Sequence, residues 1–571
     1  MRTGLLMLIF LSIIAASAML AQQAKPIPTA QTDPASMLQD AQSLYRKGSF
    51  DLAIARYDEV LKVDPQSGDA YAGIVRCYLK QDKVHEADDA LQKGLQANPG
   101  DPDFKVAEGE LLFREGEIPE AGRLFDEIIA TPPSPLEPSP KPNARAYLGA
   151  ARVAGANAMH AREHIMITRA HAIDASDPDI RKKWIQTLSA AERMQSLQDY
   201  LGQSTNDDSD TRRTLQERVD FLKASQSAPA GRCRPVSDVT ATKTNLVTIQ
   251  SLSGLIQGSG LDVNINGKPS RLLLDTGASG ILISGKLAAL AGLKPVSDVR
   301  LSGVGNKPDA TAHVAYAESV RIGEMEFRDC TISIVDRFSA DEDGLIGTDV
   351  FSQFLIEFDF PGGMMRLSQL PTRPGEAPGR ASLKTGDEDP PAETEAKAPA
   401  DAGSPAAGAA SGSPAQSRAS TPKYFDRYVD PEMHSYVQAF RIGHMLLVPT
   451  KINEGTEKLF LLDTGAFDNT ISLDAAQKIT KVHRAPRRDI RGLNGEVKKV
   501  FVADQVKLDF GHIYQTVPDI IALDLSRTSR QTGTEISGTL GMVMLKLLKV
   551  RLDYRDALVD FQYVPNASRR R

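Results

Sequence analysis

Three cysteines in 571 residues exclude a scaffold built on disulfides. Cys77, Cys233 and Cys330 are odd in number and widely spread, so at most one bridge is expected, and structural free thiols are the favoured reading. Charge of one sign is also scarce. With 67 Lys and Arg against 73 Asp and Glu, the net charge of -6 gives no reason to expect nucleic acid or an acidic substrate as partner. Beyond the N-terminal segment no apolar run is long enough to span a bilayer. Neither a Gly-Lys-Ser/Thr phosphate loop nor a Gly-x-Ser-x-Gly turn occurs, which leaves nucleotide and serine mechanisms without a constellation. Apart from His160 and His164, the histidines show no metal-ligand spacing. His160-Ala161-Arg162-Glu163-His164 has the letters of a zinc motif, but it falls inside a helical repeat and reads as a solvated helix face. No metal and no cofactor are expected.

The one long apolar run opens the chain. Met1 to Ala21 carries Arg2, an apolar stretch from Leu5 to Ile14, and small residues at Ala16, Ser17, Ala18 and Ala21. That composition predicts a secretory signal over 1–21, with no cysteine directly after it to accept a lipid. An exported chain with few cysteines points to a bacterial periplasm or cell envelope.

From about residue 36 the sequence repeats with a period of 34: Ala53, Ala87 and Ala121, then Tyr45, Leu79 and Phe113, then Pro65, Pro99 and Pro133. A small residue lets two helices approach, a large apolar one fills the groove between them, and proline ends the second helix. These features look like tetratricopeptide repeats. A Pro-rich insertion, Thr131 to Pro142, precedes a less regular fourth unit with Tyr147 and Ala161, and helices around Trp184 cap the stack to residue 225. Such a solenoid offers a concave face to a peptide or protein partner, and a plain spacer or an oligomerisation element is the alternative. A short linker is expected over 226–243. A second, over 371–422, is rich in Ala, Pro, Gly and Ser and too poor in apolar residues to order itself.

The chemistry sits in two near-identical hexapeptides, Leu273-Leu274-Asp275-Thr276-Gly277-Ala278 and Leu461-Leu462-Asp463-Thr464-Gly465-Ala466. In each, an apolar strand delivers an acid into a tight Thr-Gly turn, and apolar residues resume at Ile281 or Ile471. A lone carboxylate ionises near its ordinary pKa of about 4 and does little to an amide. Two held about 3 Å apart share one proton, so one member can activate water while the other protonates a carbonyl.

Further landmarks follow each triplet in the same order. After the first come Ser302-Gly303-Val304-Gly305-Asn306, Ile322-Gly323 and Asp343-Gly344-Leu345-Ile346-Gly347. After the second come Arg491-Gly492-Leu493-Asn494-Gly495, Leu508-Asp509-Phe510-Gly511 and Ser537-Gly538-Thr539-Leu540-Gly541. Segments 244–370 and 432–565 thereby resemble the retropepsin-like aspartic proteases, bacterial relatives of the retroviral enzyme and of one pepsin lobe. Thr-Leu-Gly in the second copy departs from the family's apolar-apolar-Gly at its first position.

The resemblance implies a multidomain chain: an all-α repeat solenoid, then two all-β lobes forming a pseudo-dimer. It implies that Asp275 and Asp463 are the catalytic pair, that Thr276 and Thr464 brace the loops by crossed hydrogen bonds, and that Gly277 and Gly465 keep them tight. Flaps over a peptide substrate would come from Gly303, Val304 and Gly305, and from Gly492, Leu493, Asn494 and Gly495. Where many pepsin-like lobes follow the triplet with Ser or Thr, this chain has Ala278 and Ala466. Without those hydroxyls the pair is expected to hold its proton to higher pH, favouring mild over strong acid. Pairing of like lobes between two molecules, and a non-catalytic peptide-binding envelope scaffold, are the competing readings.

Overall fold

The structure, a computed structural model, describes residues 33–130, 142–225, 233–250, 256–301, 310–336, 343–374, 426–485 and 491–565, apart from positions 100, 204, 237–238, 493–494 and 498. The expected signal 1–21 and nearly all of the expected linker 371–422 lie outside the described residues.

The first six helices are α1 (Pro34–Arg46), α2 (Phe50–Val63), α3 (Gly68–Lys80), α4 (Val84–Ala97), α5 (Pro102–Arg114) and α6 (Ile118–Ala130). Corresponding helices start 34 residues apart, the period of the sequence. Asp33 and Asp101 cap α1 and α5 by accepting from the backbone of Ala35 and Asp103. Proline follows each cap, where a backbone N–H would lack a helical partner. Ala53, Ala87 and Ala121 are fully buried where paired helices touch. Helices α7 (Ala144–Ala156) and α8 (His160–Ile173) form the fourth pair. A methyl on Gly149 of α7 would fall inside the Phe125 ring, so this helix is admitted only as glycine. The stack ends with α9 (Pro178–Ile185), α10 (Ala190–Leu201) and α11 (Ser209–Ser225), and Trp184 stacks on His171 with ring centres 3.9 Å apart. Among the described residues no helix is long and apolar enough to cross a membrane.

The two lobes that follow share one plan. In the first, strand Lys268–Asp275 runs parallel to Gly344–Gly347, which is antiparallel to Ile281–Ser284. In the second, Glu457–Leu462 runs parallel to Gly538–Leu540, which is antiparallel to Thr470–Ser472. In chain order a short helix follows the second strand of this trio in each lobe, Gly285–Leu290 or Leu473–Ile479, and the second lobe adds Ser526–Thr532 and Met542–Leu545. The lobes join through a shared sheet in which Phe354–Asp359 pairs antiparallel with Leu548–Asp553, in the register Ile356 with Leu552 and Phe358 with Val550. These four residues belong to a single apolar core that also contains Leu274 and Leu462, the strand residues just before each acid.

The helical stack is not a free arm. Phe113, Ile118 and Phe125 of α5 and α6 share a core with Leu447, Leu459, Leu461 and Ile521 of the second lobe. Polar contacts frame it: Thr534 Oγ1 donates to the Phe113 carbonyl at 2.7 Å, Glu535 N to the Arg114 carbonyl at 2.8 Å, and Lys458 pairs with Glu117 at 2.9 Å.

Two expectations need correction. Free thiols were favoured, yet Cys233 and Cys330 form a disulfide across 97 positions, leaving Cys77 free and buried. Strand pairing brings the two cysteines together: Arg234–Pro235, inside the expected linker 226–243, pairs with Arg328 and Phe327. The linker expected over 371–422 is anchored at its start as well, because Arg373 is buried and donates to Asp556 at 2.5 Å. In both cases a contact distant in sequence orders residues whose local composition lacks the apolar content to do so.

Candidate active site

Each Asp-Thr-Gly lies at the end of a buried strand, and the two triplets meet between the lobes. Thr276 Oγ1 donates to the Leu462 carbonyl at 2.6 Å and accepts from Thr464 N at 3.0 Å. Thr464 Oγ1 returns the pattern, donating to the Leu274 carbonyl at 2.8 Å and accepting from Thr276 N at 3.0 Å. Both threonines are buried, so four bonds between the lobes are shielded from water.

The acids interlock just as closely. A methyl on Gly277 would lie 3.1 Å from the Asp463 carboxyl carbon, and one on Gly465 would lie 2.6 Å from that of Asp275. Each glycine therefore leaves the space that the opposite carboxyl fills. Gly277 N donates to Asp275 Oδ1 at 2.8 Å, while Gly465 N and Ala466 N both donate to Asp463 Oδ1 at 3.0 Å.

Burial raises the Asp275 carboxyl, and the neighbouring Asp463 charge raises it further, to about 8, against the opposing pull of Gly277 N–H. Asp463 is also raised by burial, but its two backbone donors and the hydrogen bond from Asp275 work the other way. The shared proton thus leans toward Asp275 and the negative charge toward Asp463, although the titration belongs to the pair. The leading cause of the upward direction in both acids is desolvation.

Side chains that sequence reasoning missed support these loops. Asp349 accepts from Ser279 Oγ at 2.8 Å and from Gly280 N at 2.9 Å, tying the turn after the first triplet to the chain beyond Gly347. In the second lobe Asn469 Oδ1 accepts from Gly541 N at 2.8 Å and does the same service. Thr348 bonds the Tyr554 hydroxyl, and His444 Nε2 lies 3.0 Å from the Gly277 carbonyl. The recurring landmarks place Asp349 and Asn469 near each triplet. Nothing local marks Tyr554 or His444, whose partners are 206 and 167 positions away.

Of the expected flap residues, Gly303, Val304, Gly305, Leu493 and Asn494 lie outside the described residues. Gly492 and Gly495 pair across a two-stranded hairpin, Arg491–Gly492 with Gly495–Glu496. The histidine motif in α8 resolves into a polar cluster: His160 Nδ1 lies 3.3 Å from Glu163, and Lys183 pairs with the same carboxylate.

An aspartyl protease family model matches residues 261–350 and 448–543, one stretch in each lobe and each containing one triplet. Each lobe thus carries its own aspartyl protease match. A tetratricopeptide repeat model matches 44–107. Among solved structures, the chain is similar to an aspartic proteinase from Irpex lacteus, at 12% identity over 57% of this chain and 98% of that one, with a TM-score of 0.31. It is also similar to a retropepsin-like aspartic protease from Rickettsia conorii, at 18% identity over 24% of this chain and 97% of that one, with a TM-score of 0.18. The helical stack is similar to a tetratricopeptide repeat protein from Parabacteroides merdae, at 15% identity over 36% and 77% of the chains, with a TM-score of 0.23. A curated relative, the general transcriptional corepressor ssn6 of Schizosaccharomyces pombe, is 32% identical over 101 residues. That match takes in 17% of this chain and 9% of the relative's length.

Proposed function

We propose that the chain is an exported aspartic endopeptidase whose two lobes supply one carboxylate each. The observation that carries this reading is the interlocking of Asp275 and Asp463, each occupying the space left by the other loop's glycine. In the singly protonated pair, Asp463 takes a proton from water held between the carboxyls as the oxygen attacks the scissile carbonyl. Asp275 gives its proton to the carbonyl oxygen, forming a neutral tetrahedral gem-diol. Collapse returns a proton to the leaving nitrogen, with no covalent intermediate and no cofactor. Crossed threonine bonds hold both acids on backbone, so the geometry is set before substrate arrives. The substrate is an extended peptide lying between the lobes, held through its main chain.

Export is supported by the Met1–Ala21 pattern and by the Cys233–Cys330 disulfide, which is at home in an oxidising compartment. The helical stack would recruit a protein or position substrate, its inner face being the surface such repeats leave for partners.

The test is cleavage of a diverse peptide library between about pH 3 and 8. Wild-type chain should cut internal bonds, and Asp275→Asn and Asp463→Asn should each lose at least about 1000-fold in kcat. An equimolar mixture of the two variants should stay inactive, because each molecule supplies its own pair. Library peptides left intact at every pH would favour the non-catalytic scaffold, and recovery in the mixture would point to pairing between chains.

A further inference from the structure

A cavity of about 1940 Å3 separates the helical stack from the lobes, and neither acid of the pair lines it. One wall is the leading helix of each repeat pair, with Tyr45, Arg76, Glu110 and Arg145. The other is built from 441–443, 527, 530–533 and Arg555 of the second lobe. Sixteen Lys or Arg line it against nine Asp or Glu, so the chamber is cationic inside a chain whose net charge is -6. Much of this charge is matched within the wall. Arg145, for example, pairs with Glu110 and Asp179 at 3.0 Å each. The wall nevertheless runs short of acids: Lys47 and Arg152 line the chamber without an ion pair among the described residues.

The same chamber is where the second linker begins and ends. Arg373 and Asp426 flank residues 375–425 closely, and both line the cavity. Arg373 is fixed to Asp556, and Tyr428 N donates to the same carboxylate at 2.9 Å. Asp426 accepts from Ala161 N at 3.0 Å and Arg162 N at 2.8 Å, at the start of α8. Between these anchors, residues 385–396 read Thr-Gly-Asp-Glu-Asp-Pro-Pro-Ala-Glu-Thr-Glu-Ala, with five acids and no base. From Arg373 to Asp387 the chain can extend up to about 46 Å, so reach does not limit where that stretch lies.

We propose that the chamber binds the acidic stretch 385–396 of this same chain. The occupant is tethered at both ends to the wall it binds, and its charge complements the wall's surplus. The proposal stands apart from proteolysis, because the cavity excludes Asp275 and Asp463.

The test uses full-length chains carrying Asp275→Asn, so that peptide cleavage is not mistaken for weak binding. A fluorophore-labelled peptide of residues 384–397 is titrated into two of them by anisotropy. One has the natural linker, and the other carries Asp387→Asn, Glu388→Gln, Asp389→Asn, Glu393→Gln and Glu395→Gln. A tethered segment competes at an effective concentration on the order of 1 mM, so at a peptide Kd of about 0.1 mM the neutralised chain should bind about tenfold more tightly. That binding should fade in about 0.5 M salt, where exposed charges are screened. Adding Lys47→Gln and Arg152→Gln to the neutralised chain should weaken it at least threefold. Equal affinity in both chains would mean that the chamber takes acidic segments from outside, overturning the intramolecular assignment. No binding to the neutralised chain, or binding indifferent to Lys47 and Arg152, would overturn the chamber as the site.

Discussion

Thr276 Oγ1 serves two partners in the opposite lobe, so Thr276→Ala strands the Leu462 carbonyl and Thr464 N–H in a buried place. Each unsatisfied group costs about 1–3 kcal/mol, which should appear as a lower urea midpoint together with a fall in kcat, while Thr276→Ser should retain most of both. The acids set a second expectation. Because burial and mutual repulsion raise the folded pair above the ordinary carboxyl value, the folded chain binds more protons than the unfolded chain between about pH 4 and 8. Stability from this pair is therefore complete in acid and is lost as pH rises toward the folded value. Asp275→Asn, which cannot ionise, should melt at a Tm near wild type at pH 4 and progressively above it toward pH 8. Parallel Tm curves would contradict the shift. Activity should likewise extend toward neutral pH, since the singly protonated form survives there; a pH-rate profile peaking below about pH 3 would argue against it.

Among elements, the first lobe's entry strand is held by pairing and by covalent bond together. Arg234–Pro235 adds a two-residue strand to the edge of Met325–Val335, and Cys233 bonds Cys330 beside it. Two residues of pairing are a weak tether, whereas a bridge across 97 positions restricts the unfolded chain strongly. Cys233→Ser should destabilise the first lobe by about 2–5 kcal/mol. Dithiothreitol should impose the same loss on the natural chain and no further loss on the variant, and a stability indifferent to reductant would show that the bridge does not act this way.

At the scale of the molecule, the shared core between α5, α6 and the second lobe makes the helical stack one body with that lobe. Leu459 sits in that interface at 3% exposure, and Leu459→Ala should cost about 2–5 kcal/mol. Trp184, the only tryptophan, lies in α9 outside that cluster and reports on the far end of the stack. If stack and lobes unfold together, its fluorescence midpoint should fall along with loss of β structure in the Leu459 variant. A Trp184 transition unmoved by the substitution would mean that the two parts melt independently.

The sequence by itself determined what repeats or recurs locally. A 34-residue period is written in Ala53, Ala87 and Ala121 because helix contact at a fixed spacing demands a small residue there. The two lobes are legible because a strand, an acid and a tight turn must be contiguous, and because the landmarks after Asp275 return in order after Asp463. Only the tertiary structure decided which distant groups meet: Cys233 with Cys330, Arg373 with Asp556, His444 with Gly277, and the stack with Leu459. Such contacts depend on how finished elements pack, so no spacing along the chain encodes them. The charged chamber belongs with them, since its walls come from the helical stack and both lobes and exist only once these surfaces face one another.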